Sequence, residues 1–222
     1  MTQFKGHFIS IIFIGRQNPQ ILTPAFLMDN DVIPKTREPF KTILADKGSN
    51  PFTEFISTPV LTTLKYSNIS IMVEENRYQI QDNKFDDLIS SPIIQITKNY
   101  FGKILRYTPL KVGGINFNGS IEFNDEKDEH SFDERLGIGR DKLSTFTGTS
   151  EIKYGMSFSY PYSNGLIEVQ LPKPKIPNLR QCAVNFNYEF KYVDIDSFTS
   201  NLDNIPSLYG KFNELLRFLG VK

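Results

Sequence analysis

The chain has 222 residues, with 25 basic and 25 acidic side chains, 39% hydrophobic residues, 19 Phe, 10 Tyr and no Trp. A formal charge of zero removes the electrostatic footprint of a dedicated nucleic-acid or anionic-membrane binder, and near-average composition excludes a disordered or fibrous chain. The single cysteine, Cys182, allows no intrachain disulfide and fits a reducing, cytoplasmic compartment, and the length suits one domain over residues 1–222.

In chain order, the apolar run from Phe8 to Ile14 is too short to span a bilayer. Bounded by Gly6 and Gly15, it reads as an interior strand buried on both faces. Thr23 can cap a short helix with Pro24 at its first position. Residues 31–59 carry Pro34, Pro39, Pro51 and Pro59 without a clear period and are expected to be irregular, pinned by Phe40, Phe52 and Phe55. Strands follow at 60–65, 69–73 and 78–80, in a meander. Ser91 and Pro92 start a helix with Ile93, Ile96, Tyr100 and Phe101 on one stripe, closed by Gly102.

Period-2 alternation is strongest in three later segments. Ile115, Phe117, Ile121 and Phe123 alternate with Asn116, Asn118, Ser120 and Glu122, and Ile152 to Tyr160 alternate with Glu151, Lys153, Ser157 and Ser159. Cys182 to Tyr192 oppose Asn185, Asn187, Glu189 and Lys191, with 166–171 as a partner strand. One face of the sheet is therefore dry and the other wet. A C-terminal helix from Pro206, with Leu208, Phe212, Leu215, Leu216 and Leu219 on its stripe, offers a cover for the dry face. The passage from Tyr78 into the Pro92 helix resembles the passage from Tyr188 into the Pro206 helix, a faint internal duplication.

Candidates for chemistry are sparse. The run Asp125-Glu126-Lys127-Asp128-Glu129-His130 is rich in metal-ligating oxygens, but it lacks a calcium-loop glycine and reads as a solvated loop or the first turn of a surface helix. Asp141, Glu151 and Lys153 follow the Asp and Glu-x-Lys order of metal-dependent nucleases, in which carboxylates hold magnesium and a lysine positions water. Cys182 sits at an apolar strand position, as a structural thiol does. Gly113-Gly114 and Gly137-Ile138-Gly139 lack the lysine and helix start of a phosphate cradle and read as turn or bulge glycines. Aromatic platforms for RNA would need rings on the wet face, whereas the alternation puts them on the dry one.

Arg106-Tyr107-Thr108-Pro109 followed by Gly114-Ile115-Asn116-Phe117 resembles a strand of a sporadically distributed bacterial protein family. The resemblance implies a bacterial source and no particular activity, and the patchy occurrence of that group suits a mobile or host-defence cassette.

The expected fold is α+β, a large antiparallel sheet of about six to eight strands with two main helices packed on one face. The expected function is a non-catalytic binding or assembly subunit, with a protein partner or a second copy of the chain as its target. The interaction face would carry Asn116, Asn118, Glu122, Lys153, Asn185, Asn187, Glu189 and Lys191. No cofactor or metal is implied, and neither nucleic acid nor a membrane is expected as a partner. Two other readings compete: a metal-dependent hydrolase or nuclease using acidic residues between Asp125 and Glu151, and a small-ligand binder with a pocket between helices and sheet.

Overall fold

A computed structural model describes residues 2–33, 54–84, 91–137, 155–172, 180–191 and 194–221. These form one antiparallel sheet of nine strands, against the six to eight expected: β1 (Gln3–Gly15), β2 (Glu54–Ser57), β3 (Leu61–Tyr66), β4 (Ile69–Glu74), β5 (Arg77–Asp82), β6 (Leu110–Glu122), β7 (Gly155–Tyr162), β8 (Gly165–Pro172) and β9 (Gln181–Lys191). The helices are α1 (Pro24–Asp29), α2 (Ile93–Asn99), α3 (Glu126–Arg135), α4 (Ile195–Asp203) and α5 (Ile205–Phe218).

The strand order is β2-β3-β4-β5-β1-β6-β9-β8-β7. Both halves of the chain follow one path. Each starts with a long strand at the central seam (β1, then β6) and passes through a helix (α1, then α3). Each then returns from the sheet edge to the seam as a meander and closes with helices: α2, then α4 and α5. The faint duplication read between Tyr78 and Tyr188 thus falls on equivalent strands, β5 and β9, beside the seam on its two sides.

Alternation sorts the side chains into two faces. One row crosses eight strands through Leu64, Ile71, Ile80, Ile11, Ile115, Tyr188, Ile167 and Tyr160, each opposite the next. All but Tyr160, near the edge, are buried. This face meets the helices through rings. Phe13 of β1 lies 5.2 Å from Phe101 and 4.7 Å from Phe198 of α4, while Tyr78 of β5 stacks on Tyr100 at 5.0 Å. Phe117, Phe186 and Phe4 surround Phe212 of α5 at 5.3–5.7 Å between centroids where they touch it or one another.

Local chemistry explains the helix starts. Thr23 accepts from the Phe26 amide with Pro24 following it, and Asp194 and Ser197 form a reciprocal capping box on α4. The Asp125 carboxylate caps α3, so the acidic run is a helix and not a loop. Gly102 does not end its helix. It sits inside a π turn, Tyr100–Ile104, that continues α2 and brings both Tyr100 and Phe101 into the core.

Two other expectations are corrected. β1 is not buried on both faces: Ile9, Ile11 and Phe13 are, but Phe8 and Ile12 are half-buried and Ile14 is 40% exposed on the polar side. Gly113 and Gly114 form no turn. They lie within β6, where a Cβ on Gly113 would stand 2.4 Å from the Phe190 ring and 2.7 Å from that of Phe13, so the glycine makes room for both rings. Within the segment expected to be irregular, 54–57 is strand β2, and 34–53 lie outside the described residues. Among the described residues, no helix is long and apolar enough to cross a membrane.

Two measurements check this core. Phe212→Ala, which empties the ring cluster beneath α5, should cost about 3–5 kcal/mol in urea unfolding. Phe218→Ala on the same helix, where the ring is 62% exposed, should change stability by no more than about 0.5 kcal/mol.

Burial raises the phenol pKa of Tyr66, Tyr78 and Tyr100 in the folded state, with Tyr78 and Asp82 adding to the effect on Tyr66. Below pH ~10 each phenol is neutral in both states, and above it only the unfolded chain ionises. Stability should therefore fall with rising pH above ~10, by about 1.4 kcal/mol per pH unit for each such tyrosine. Tyr100→Phe should make that fall shallower in denaturant titrations at pH 9 to 11.5.

Candidate functional site

The open face is built by the residues alternating with the core. In one row across the seam, Gln81, Ser10, Asn116, Asn187 and Glu168 stand opposite one another in turn, from β5 to β8. In the next, Phe8, Asn118, Asn185 and Gln170 do the same, from β1 to β8. These rows apart from Gln81, together with Ile12, Gln79 and Arg77, line a depression of about 390 Å³. Side chains of five adjacent strands, β5, β1, β6, β9 and β8, line this one depression, a shallow trough across the polar face.

The trough's polar groups are mostly amides. Asn116 donates to Ser10 Oγ at 3.3 Å, and Asn118 donates to Asn185 across β6 and β9. Along β5 a relay runs in one direction: Arg77 donates to Gln79 (2.6 Å), Gln79 to Gln81 (3.2 Å), and Gln81 to Asn83 (2.6 Å). Gln170 donates to Glu168 at 2.9 Å. Each amide carries both donors and an acceptor, so these contacts hold the side chains in place and leave further donors and acceptors directed outward. Phe8 and Ile12 supply apolar floor on the β1 side. Phe8 is thus a ring on the polar face, where alternation alone had placed none.

The residues expected on an interaction face divide in three. Asn116, Asn118, Asn185 and Asn187 line the trough. Glu122, Glu189 and Lys191 share its face but lie beyond its rim, Glu122 being held by Gln181 at 3.2 Å. Lys153 lies outside the described residues, as do Asp141 and Glu151, the other candidates for metal-dependent chemistry. Ser10, Arg77, Gln79, Glu168 and Gln170 were missed. The signal for them was present as the polar positions of β1, β5 and β8, but adjacency across five strands is not visible in any one segment.

Elsewhere the acidic helix α3 points most of its charges outward, with Glu126 paired to Arg180 at 3.1 Å and His130 to Glu134 at 3.4 Å, while Asp133 is buried. Among the described residues, no group of three or more His, Cys, Asp or Glu side chains converges as metal ligands do. The Cys182 thiol is buried on the apolar face of β9. The depression lies on the polar face and not between helices and sheet.

No protein-family model matches the chain, and no curated protein matches it significantly in sequence.

The cross-strand rows predict how this face tolerates charge. Asn187 stands opposite Glu168, so Asn187→Asp places two carboxylates together and should cost up to ~1 kcal/mol at pH 7, a loss that disappears below pH 4. Asn187→Arg meets the same glutamate as an opposite charge and should leave the melting temperature unchanged.

Proposed function

We propose that the chain is a non-catalytic binding subunit of a bacterial intracellular assembly, and that it holds a protein partner in the trough of its polar face. The supporting observation is the trough itself, in which Asn116, Asn118, Asn185, Asn187, Gln79 and Gln170 present neutral amides from four strands in one depression. Amides donate and accept at once without changing protonation state, which suits recognition of peptide groups and does not supply a proton or a nucleophile. Polar patches with a few apolar residues are ordinary composition for interfaces that form and separate. The zero net charge of the chain argues in the same direction, away from polyanionic partners. The resemblance around Arg106 to Phe117 supports the bacterial source.

The test is capture of the partner from source cells by the tagged full-length chain, with cross-linking to map where it sits. A partner recovered in stoichiometric amount and cross-linked to β6, β8 or β9 is expected, and Asn187→Arg should reduce its recovery at least tenfold while the variant melts like the parent. Recovery unaffected by Asn187→Arg would show that the polar face is not the binding surface.

A further inference from the structure

The two edges of the sheet are built differently. The β7 edge carries Pro161, which has no N–H to offer, and its large side chains Met156, Phe158 and Tyr160 pack against the core. At the other edge, β3 is the only strand paired with β2 among the described residues. β2 holds no proline and no lysine, and its register with β3 runs without a bulge. Its one charged residue, Glu54, is matched by Lys65 of β3 at 2.7 Å. Apolar side chains stand out from it on both faces: Phe55, 43% exposed, is opposite Leu64 on the core side, and Ile56, 51% exposed, is opposite Thr63 on the polar side. Proteins ordinarily blunt a sheet edge with lysine, proline or a bulge, because its unpaired peptide groups otherwise template a further strand. β2 has none of these devices.

The ladder fixes which peptide groups β2 has on offer. The Thr58 N–H donates to the Leu61 carbonyl at 2.8 Å, so Thr58 and Leu61 are a hydrogen-bonded pair. Antiparallel ladders alternate bonded and non-bonded pairs, so Ile56 and Glu54 also turn their N–H and C=O groups toward β3, while Phe55 and Ser57 turn theirs outward. Two such edges related by a two-fold axis through Ile56 set Phe55 opposite Ser57 of the second copy, and Ser57 opposite its Phe55, which makes four main-chain hydrogen bonds. Ile56 then meets its own counterpart on the polar side as a non-hydrogen-bonded pair, the kind in which side chains come closest. Glu54 faces Thr58 of the second copy, so no like charges are opposed.

We infer that β2 pairs antiparallel with β2 of a second copy of this chain, about a two-fold axis through Ile56, and so joins two nine-stranded sheets into one. The register is self-complementary, as a two-fold interface requires. The axis stands perpendicular to the sheet, so the polar faces of the two copies are continuous and their troughs open on the same side. The pair thereby presents two equivalent surfaces, which strengthens attachment to any partner that carries repeated sites. The pairing itself does not depend on what the trough binds.

The test is the mass of the full-length chain by sedimentation equilibrium from about 1 to about 300 µM, the range in which small interfaces separate. The expected result is a reversible equilibrium between monomer and dimer. Ile56→Lys and Ile56→Glu each place two like charges across the axis and should be monomeric throughout that range, whereas a mixture of the two should dimerise again as opposite charges meet. Ser57→Pro removes an N–H that the monomer turns away from its sheet and the dimer uses twice, and it should weaken dimerisation by about tenfold or more. Thermal melts in dilute solution show that each variant keeps the fold. A wild-type chain that stays monomeric, a dimer indifferent to Ile56→Lys or to Ser57→Pro, or a mixture of the Lys and Glu variants that stays monomeric would each overturn the inference.

Discussion

The antiparallel pairing of β1 with β6 joins the two halves of the chain, and every other layer is positioned by it. Its register runs from Gln3 opposite Glu122 to Gly15 opposite Leu110, the length of both strands. A one-residue slip along such a seam would turn every Ile and Phe of one strand to the polar side, so the register is fixed by the hydrophobic pattern itself. Glycines adjust the packing on its dry side. Gly113 leaves room for the rings of Phe13 and Phe190, and Gly119 does the same for Phe4. Those rings are the contact surface for α4, for the π turn after α2 and for α5. The absence of two Cβ atoms in β6 therefore allows the helices to approach the seam.

With the dry face occupied, the opposite face of the same strands is left to solvent or a partner. Each strand crossing the seam contributes alternate residues to both faces, so the amide rows and the aromatic core are two readings of one register. Asn116 lies in the trough because Ile115 and Phe117 lie in the core. The same coupling separates most of the trough from the helices, with Phe117 the core ring that borders it from beneath. It also explains the asymmetry within the trough. The two halves of the chain share a path but not a sequence, so one side of the seam carries Phe8 and Ile12 and the other carries four asparagines.

Much of the fold was legible before any coordinates. Alternation located β6, β8 and β9, and capping chemistry placed the start of α1, where Thr23 stands just before the first turn; α2 starts near the expected place, but with Pro92 at the cap position and no side-chain capping bond, Ser91 donating to Asp82 instead. The misses have physical causes. An apolar run such as 8–14, interrupted only by Ser10, does not show which of its residues face the core, and only pairing with β5 and β6 decides that Phe8 and Ile12 face outward. Glycine at 113 and 114 looks like a turn or bulge locally, but both lie in a strand, and at 113 the bulk of Phe13 and Phe190, distant in sequence, requires glycine. Gly102 looks like a helix stop, and tertiary burial of Tyr100 and Phe101 extends the helix through it as a π turn.

By itself the sequence determined most of the strands and the helices beginning near Pro24, Pro92 and Pro206, though not β2 or α4, and it determined which side of β6 and β9 is polar and that four asparagines occupy that side. Those properties follow from short-range periodicity and from the chemistry of single residues. Only the tertiary structure decided the order of the strands, and with it the trough. Arg77, Ser10, Asn116, Asn187 and Glu168 come from strands far apart in the chain, and they line one depression because the two meanders fold back on the β1–β6 seam from opposite sides. Cross-strand adjacency is set by long-range pairing, which no local pattern encodes, so the candidate site became visible only once the nine strands were in register.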